Sequence, residues 1–343
     1  MVFVVIFAMY PLGLKLLQKS NIPKRLFCAA LALGAGTFTL TALPGTPSIH
    51  NVISSVALGT DLFAGGWYGL LGGLIMFAGG IWYLERQRVK AAANGEGFTP
   101  SATDRISAAE PGDPDHPSWQ LALLPLAVVL LTILLPRVIK MIVGAEGLEG
   151  GGLFNELLRF ANSQPLVWPS IALFMGTVLA VLLFSSVRGN ALAVIGNATQ
   201  DSILPLVNTA AVIGFGGVVT RTAGFEQFTR MMLDSDLPPL LSAFGSVSLV
   251  SAFTGSASGG LQIFMQTMAP DYLAMGLEPG VLHRIATMAS GGFDSLPHCG
   301  AVVAMLTITG LTHKEAYRDV GIITVVIPVI ATLVAIGAAS LVG

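Results

Sequence analysis

Charge is scarce in this chain. Only 10% of its 343 residues are Asp, Glu, Lys or Arg, whereas 53% are hydrophobic. A soluble globular domain carries about 25% charged residues. With a mean hydropathy of +0.76, the sequence excludes a soluble fold and fits an all-α polytopic membrane protein. Cysteine is scarce too. Cys28 and Cys299 both lie in apolar stretches, which argues against a disulfide framework and for small buried thiols. No basic run interleaved with aromatics is present, so nucleic acid is not an expected partner. No phosphate-cradling glycine loop is present, so transport driven by ATP within this chain is not expected. No Cys/His cluster and no nucleophile-base arrangement stands out, so neither an enzyme nor a metal or organic cofactor is expected. The N-terminus is apolar and lacks a basic region or a small-residue cleavage site, so it reads as a membrane segment.

Apolar runs of membrane length lie at 63–84, 119–136, 166–184, 203–219 and 320–342. Three more apolar regions, 26–57, 240–268 and 281–308, are interrupted by polar residues, glycine or proline. The polar stretch 85–118 reads as a flexible cytoplasmic loop, and 137–165 as a connector with a short helix near 155–161. The expected division is a first repeat over 1–84 that lacks its N-terminal part, the loop 85–118, connecting spans over 119–189, and a second repeat over 190–343.

The interruptions carry the functional signal. Gly291, Gly292, Asp294, Pro297 and His298 break the apolar region 281–308, and Pro44, Gly45 and Pro47 break 26–57. Unpaired backbone groups and ionisable side chains are costly in hydrocarbon unless they face protein or water. Paired breaks in corresponding positions point to a transporter's binding site. The lead-ins agree in order: an apolar turn, a loop ending near a proline, a basic pair, a helix rich in small residues, then a Leu-Pro break. With Lys15, Lys19, Lys24 and Arg25 inside, the charge bias also puts Arg86, Arg88, Lys90, Arg105, Arg188, Lys314 and Arg318 inside. The first broken helix then starts inside and the second outside, which is an inverted repeat. Arg221 and Arg230 fall outside and fit this scheme least.

The tip Thr254-Gly255-Ser256-Ala257-Ser258-Gly259 lies between apolar arms and reads as the turn of a re-entrant hairpin. Its small residues let backbone approach a ligand, and its hydroxyls and amides suit a carboxylate; a tight packing turn is the alternative. The same offset in the first half falls at the start of the chain, so an N-terminal piece holding the first hairpin is expected to be missing. Asp294 or Ser295 before Pro297, and Thr46 before Pro47, read as capped helix starts that aim positive dipole ends at the membrane middle. Asp294 is the candidate proton carrier, with helix capping as the alternative. The candidate substrate ligands are Thr46, Ser48, Thr254, Gly255, Ser256, Ser258, Ser295 and His298. His50-Asn51 is a matching polar pair in the first half. Arg284 reads as interfacial, with substrate pairing as the alternative, and Asn208 as a hydrogen-bonding or site-lining residue.

The segments Thr41-Ala42-Leu43-Pro44-Gly45-Thr46-Pro47, 254–259, 290–298 and 307–317 resemble the gluconate permease (GntP) family. The resemblance implies a bacterial inner-membrane symporter of the ion-transporter superfamily, with inverted repeats and two re-entrant hairpins, commonly a homodimer. It implies small hydroxylated monocarboxylates such as gluconate, moved with protons. A 3-hydroxybutyrate-type substrate and Na⁺ coupling remain alternatives, as does a truncated, non-transporting remnant. The family's longer N-terminal part is not found in this sequence, and His298-Cys299 stands where relatives have His-Asn.

Overall fold

The computed structural model describes residues 2–101, 104, 118–144, 150, 152–164 and 167–342. Arg105, Glu146, Glu149 and the side chain of Asn208 lie outside the described residues. Every regular element described is helical. In chain order these are α1 (Val2–Ser20), α2 (Lys24–Gly36), a π-turn (Phe38–Ala42), α3 (Ile49–Leu58), α4 (Gly66–Ala93), α5 (Trp119–Val143), α6 (Leu153–Ser163), α7 (Val167–Leu183), α8 (Ser185–Gly189) and α9 (Ala191–Val219). There follow α10 (Ala223–Leu233), α11 (Pro239–Thr254), α12 (Ala257–Thr267), α13 (Ala269–Ala274), α14 (Pro279–Ser290), a 3-10 turn (Phe293–Ser295), α15 (Gly300–Thr309), α16 (His313–Gly321), a second π-turn (Ile322–Val326) and α17 (Ile327–Val342). Among the described residues, four helical stretches are long and apolar enough to cross a membrane: Lys24–Ala42, Gly66–Ala93, Gln120–Val143 and His313–Leu341. The protein is an all-α polytopic membrane protein. Two compact units divide it: Met1–Ser107 with Pro205–Gly343, and Ala108–Leu204.

The larger unit contains both breaks. The first lies at 43–48, between the π-turn and α3, and the second at 291–299, around the 3-10 turn. Helix α4 has 28 residues, about 42 Å at 1.5 Å per residue. Arg25, at the start of α2, pairs with Glu96 just past the end of α4. Gly280, at the start of α14, lies against Gly65 just before α4, where a Cβ would come within 2.5 Å of the Gly280 carbonyl. The two broken helices therefore start at opposite ends of α4 and run antiparallel. Packing follows the same exchange: α2 packs on α4 as α14 packs on α17, and α1 packs on α15 as α12 packs on α3. This is the inverted arrangement that charge bias implied.

Helices α11 and α12 fold back on each other through Gly255, whose φ of 58° is the left-handed conformation glycine tolerates. Gly260 sits against Ser251, where a Cβ would meet the Ser251 Cα at 2.4 Å. With 16 and 11 residues, the arms span about 24 and about 17 Å, short of a hydrocarbon core of about 30 Å. Neither arm is long enough to cross.

Several boundaries differ from the sequence reading. Helix α4 runs on to Ala93, through residues assigned to the polar loop, because the Glu85–Arg88 pair and strong helix formers sustain it. Helix α9 begins at Ala191, well before 203. The first break is shorter than its polar sequence, because Phe38–Ala42 stays wound as a π-turn. Ser48, not Thr46, is the N-cap of α3, accepting from the Asn51 N–H at 3.2 Å. Helix α15 starts at Gly300, so Asp294 and Ser295 lie upstream in the 3-10 turn and do not cap it.

In the smaller unit α5 passes through Pro136 to Val143. Pro136 lacks the N–H that would bond the Thr132 carbonyl, and the Trp168 indole N–H on α7 takes its place at 2.8 Å. A helix over 153–163 fills the connector, close to the expected position.

Candidate functional site

The hairpin tip and the second break meet. The His298 Nε2–H donates to the Ala252 carbonyl near the end of α11 at 2.9 Å. A Cβ on Gly255 would come within 3.2 Å of the His298 ring and 3.7 Å of the Cys299 Cα. Glycine at 255 therefore serves both the left-handed turn and the close approach. The meeting brings the N-terminus of α12, which follows Ser256, beside that of α15, which follows Cys299. No side chain caps α15. Helix N-termini carry unpaired N–H groups and a partial positive charge, which together favour an anion.

The hydroxyls around this point each have a local partner. Thr254 Oγ1 donates back to the Val250 carbonyl, Ser256 Oγ accepts from the Gly259 N–H, and Ser258 Oγ lies 3.4 Å from Ser256 Oγ. Ser295 Oγ donates to Asp294 Oδ1 at 3.1 Å. Asp294 and Ser295 also line a cavity of about 50 Å³ against Gly36, Leu40 and Thr324, large enough for water. Side chains from α16 hold the second break: His313 Nε2–H donates to the Pro297 carbonyl at 2.8 Å and the Tyr317 hydroxyl to the Ser295 carbonyl at 3.1 Å.

Thr46 and Ser48 make their bonds within the first break. Thr46 Oγ1 donates to the Leu43 carbonyl and accepts from Asn51 Nδ2 at 2.7 Å. Both residues also line a cavity of about 580 Å³ with Met9, Phe27 and Thr39. The π-turn before the first break touches the second break where Gly291 lies against Thr41, with room for no Cβ: it would sit 2.6 Å from the threonine methyl. The structure thus groups Thr254, Gly255, Ser256, Ser258 and His298, with Ser295 and Asp294 on the adjoining turn. Thr46 and Ser48 belong to a separate network.

That network centres on residues the sequence reading undervalued. Arg284 is fully buried, not interfacial. His283, next to it, is also fully buried, with Nδ1 2.7 Å from Thr60 Oγ1 and Nε2 3.4 Å from Asn51 Oδ1. An amide oxygen only accepts, so Nε2 carries the proton and Thr60 donates to Nδ1. Ser54 Oγ bonds Thr287 Oγ1 at 2.9 Å. His50 is buried, and neither ring nitrogen meets a hydrogen-bond partner among the described residues. The signal for this cluster was the His283-Arg284 pair inside an apolar run, since an ionisable residue at membrane depth marks function or a specific partner.

Antiparallel broken helices, and a folded-back hairpin whose α12 N-terminus meets that of α15, are features found in secondary transporters. The chain is 38% identical over 344 residues to the uncharacterized transporter YxjC of Bacillus subtilis (strain 168), a match spanning 94% of this chain and 72% of that protein. The chain belongs to the family of that transporter. No family model matches the sequence, and no solved structure matches it.

Proposed function

We propose that the protein is a secondary active transporter that carries gluconate or a related small hydroxy-monocarboxylate with protons across the bacterial inner membrane. The observation that carries this reading is the meeting of the hairpin tip with the second break. There the N-termini of α12 and α15 come together beside Gly255 and His298, and a carboxylate is the ligand such a pair of dipole ends suits best. Ser256, Ser258 and Thr254 border the point and offer hydroxyl groups to a hydroxylated acid. Asp294, facing a cavity large enough for water, is the proposed proton-linked group. Thr46 and Ser48 shape the first break, and Thr46 adds a lone pair rather than a free donor.

The test is uptake of radiolabelled gluconate into proteoliposomes at constant sodium, with and without an inward proton gradient. Stimulation by the gradient, lost in Asp294→Asn while gluconate exchange persists, is the expected result. Equal loss of both activities removes Asp294 from coupling. Uptake that follows sodium at fixed pH replaces the proton with Na⁺. No uptake of gluconate, with uptake of radiolabelled 3-hydroxybutyrate by the same vesicles, changes the acid.

A further inference from the structure

Every N–H of the Arg284 guanidinium is engaged by an uncharged oxygen. Nε donates to the Ala64 carbonyl at 3.1 Å. Nη1 donates to the Ala42 carbonyl at 3.2 Å and to Asn51 Oδ1 at 2.8 Å. Nη2 donates to the Leu62 and Ala64 carbonyls at 3.1 and 3.0 Å. An arginine has five such donors, so none remains for a substrate carboxylate. The acceptors are informative. Ala42 ends the π-turn, and its carbonyl is one of those a helix end leaves without a partner. Leu62 and Ala64 lie in the connection to α4. All three carbonyls lie between residues 42 and 64, in or after the first broken helix, whereas Arg284 stands on α14.

Asn51 passes this anchoring on. Its Oδ1 accepts from Arg284, which fixes Nδ2 toward the first break. There it donates to Thr46 Oγ1 at 2.7 Å, to the Thr46 carbonyl at 2.9 Å and to the Leu43 carbonyl at 3.3 Å. The Gly45 N–H bonds the same Leu62 carbonyl that Arg284 holds. Glycines make the approach possible: a Cβ on Gly65 would sit 2.5 Å from Arg284 Cβ, and one on Gly69 2.8 Å from Arg284 Cδ.

We propose that Arg284 and Asn51 form a positioning pair in which the second broken helix caps the first half-helix and sets the shape of its break. Neither residue is a substrate ligand. The pair fastens the first break to α14, so these parts move as one body during any opening of the site. Buried carbonyls need partners within the protein, and the fork of a guanidinium can serve several at once where the point charge of a lysine cannot.

Hydrogen-deuterium exchange on the purified full chain tests this without any substrate. In Arg284→Lys and in the milder Asn51→Ala, amides of residues 43–52 are expected to exchange about tenfold faster or more, while those of 254–260 keep their rates. The double variant is expected to add little to either single one, because the two side chains act in series. Unchanged rates at 43–52 in Asn51→Ala overturn the proposal, as does equal acceleration in both segments. A lysine that restores wild-type rates also overturns it, because charge alone would then suffice.

Discussion

A Cβ on Gly69 would lie 2.3 Å from the Ala42 carbonyl and 2.8 Å from Arg284 Cδ. Gly34, in α2, has nothing within 4 Å of the same position. The two glycines look alike in sequence, since each lies in an apolar helix among small residues. Their substitutions are expected to differ in sign. Gly69→Ala forces the guanidinium or the break carbonyl to move and destabilises the protein by about 1–3 kcal/mol. Gly34→Ala removes only backbone freedom and is neutral or stabilising, by up to about 1 kcal/mol. Thermal unfolding of the detergent-solubilised protein measures both, and a fall in midpoint for Gly34→Ala as large as that for Gly69→Ala would contradict this packing. At this scale the sequence was partly legible. Asp294 and His298 stood out because polar residues are rare in apolar runs. Asn51 and Arg284 carried the same signal, but their partners lie 233 residues apart, and no local pattern records that distance.

At the next scale, charge satisfies some helix ends and side chains from elsewhere satisfy others. Lys24 at the start of α2 pairs with Asp104 at 2.9 Å, both side chains nearly inaccessible, and the Tyr10 hydroxyl donates to the same carboxylate. Burial pushes the Asp104 carboxyl up, but bonds from Tyr10, the Ser101 backbone and Lys24 outweigh it and hold it at about 2. The loop after α4 is thereby strapped to the α1–α2 corner. In the smaller unit the kink of α5 is served by Trp168. Trp168→Phe leaves the Thr132 carbonyl without its donor and is expected to cost about 1–3 kcal/mol. Pro136→Ala returns a backbone N–H to that carbonyl, so the same tryptophan substitution in that background is expected to be much milder. A double-mutant cycle on thermal unfolding checks this; additive effects would mean that the indole bond is not serving the proline. Proline in the run is legible in the sequence and predicts a helix end at 136. The helix continues because a side chain from a helix distant in sequence supplies the missing donor, a compensation that no window of sequence contains.

For the whole molecule, the antiparallel course of α2 and α14 fixes which ends share a side. Asn94, past the end of α4, and Met275, before α14, are both exposed. Single cysteines at these positions, with Cys28 and Cys299 replaced by alanine, are expected to react with an impermeant maleimide from opposite faces of the membrane. Reaction from the same face would overturn the inverted arrangement. Salt bridges from Arg25 to Glu96 and to Asp319 join the start of α2, the end of α4 and α16 on one side. That side is where the lysine and arginine bias had already gathered them.

The sequence by itself determined the class of fold, the breaks, the hairpin and the inversion. Each of these follows from local rules: hydrophobic length, the scarcity of charge, glycine and proline in apolar runs, and the side on which basic residues lie. Only the tertiary structure decided which polar residues meet. It joined His298 to the hairpin, left Thr46 and Ser48 in a separate network, and buried Arg284 against the carbonyls of Ala42, Leu62 and Ala64. The physical reason is that an interrupted helix at membrane depth must find hydrogen-bond partners inside the protein. Those partners come from whatever packing brings near, and packing joins residues that the chain keeps far apart.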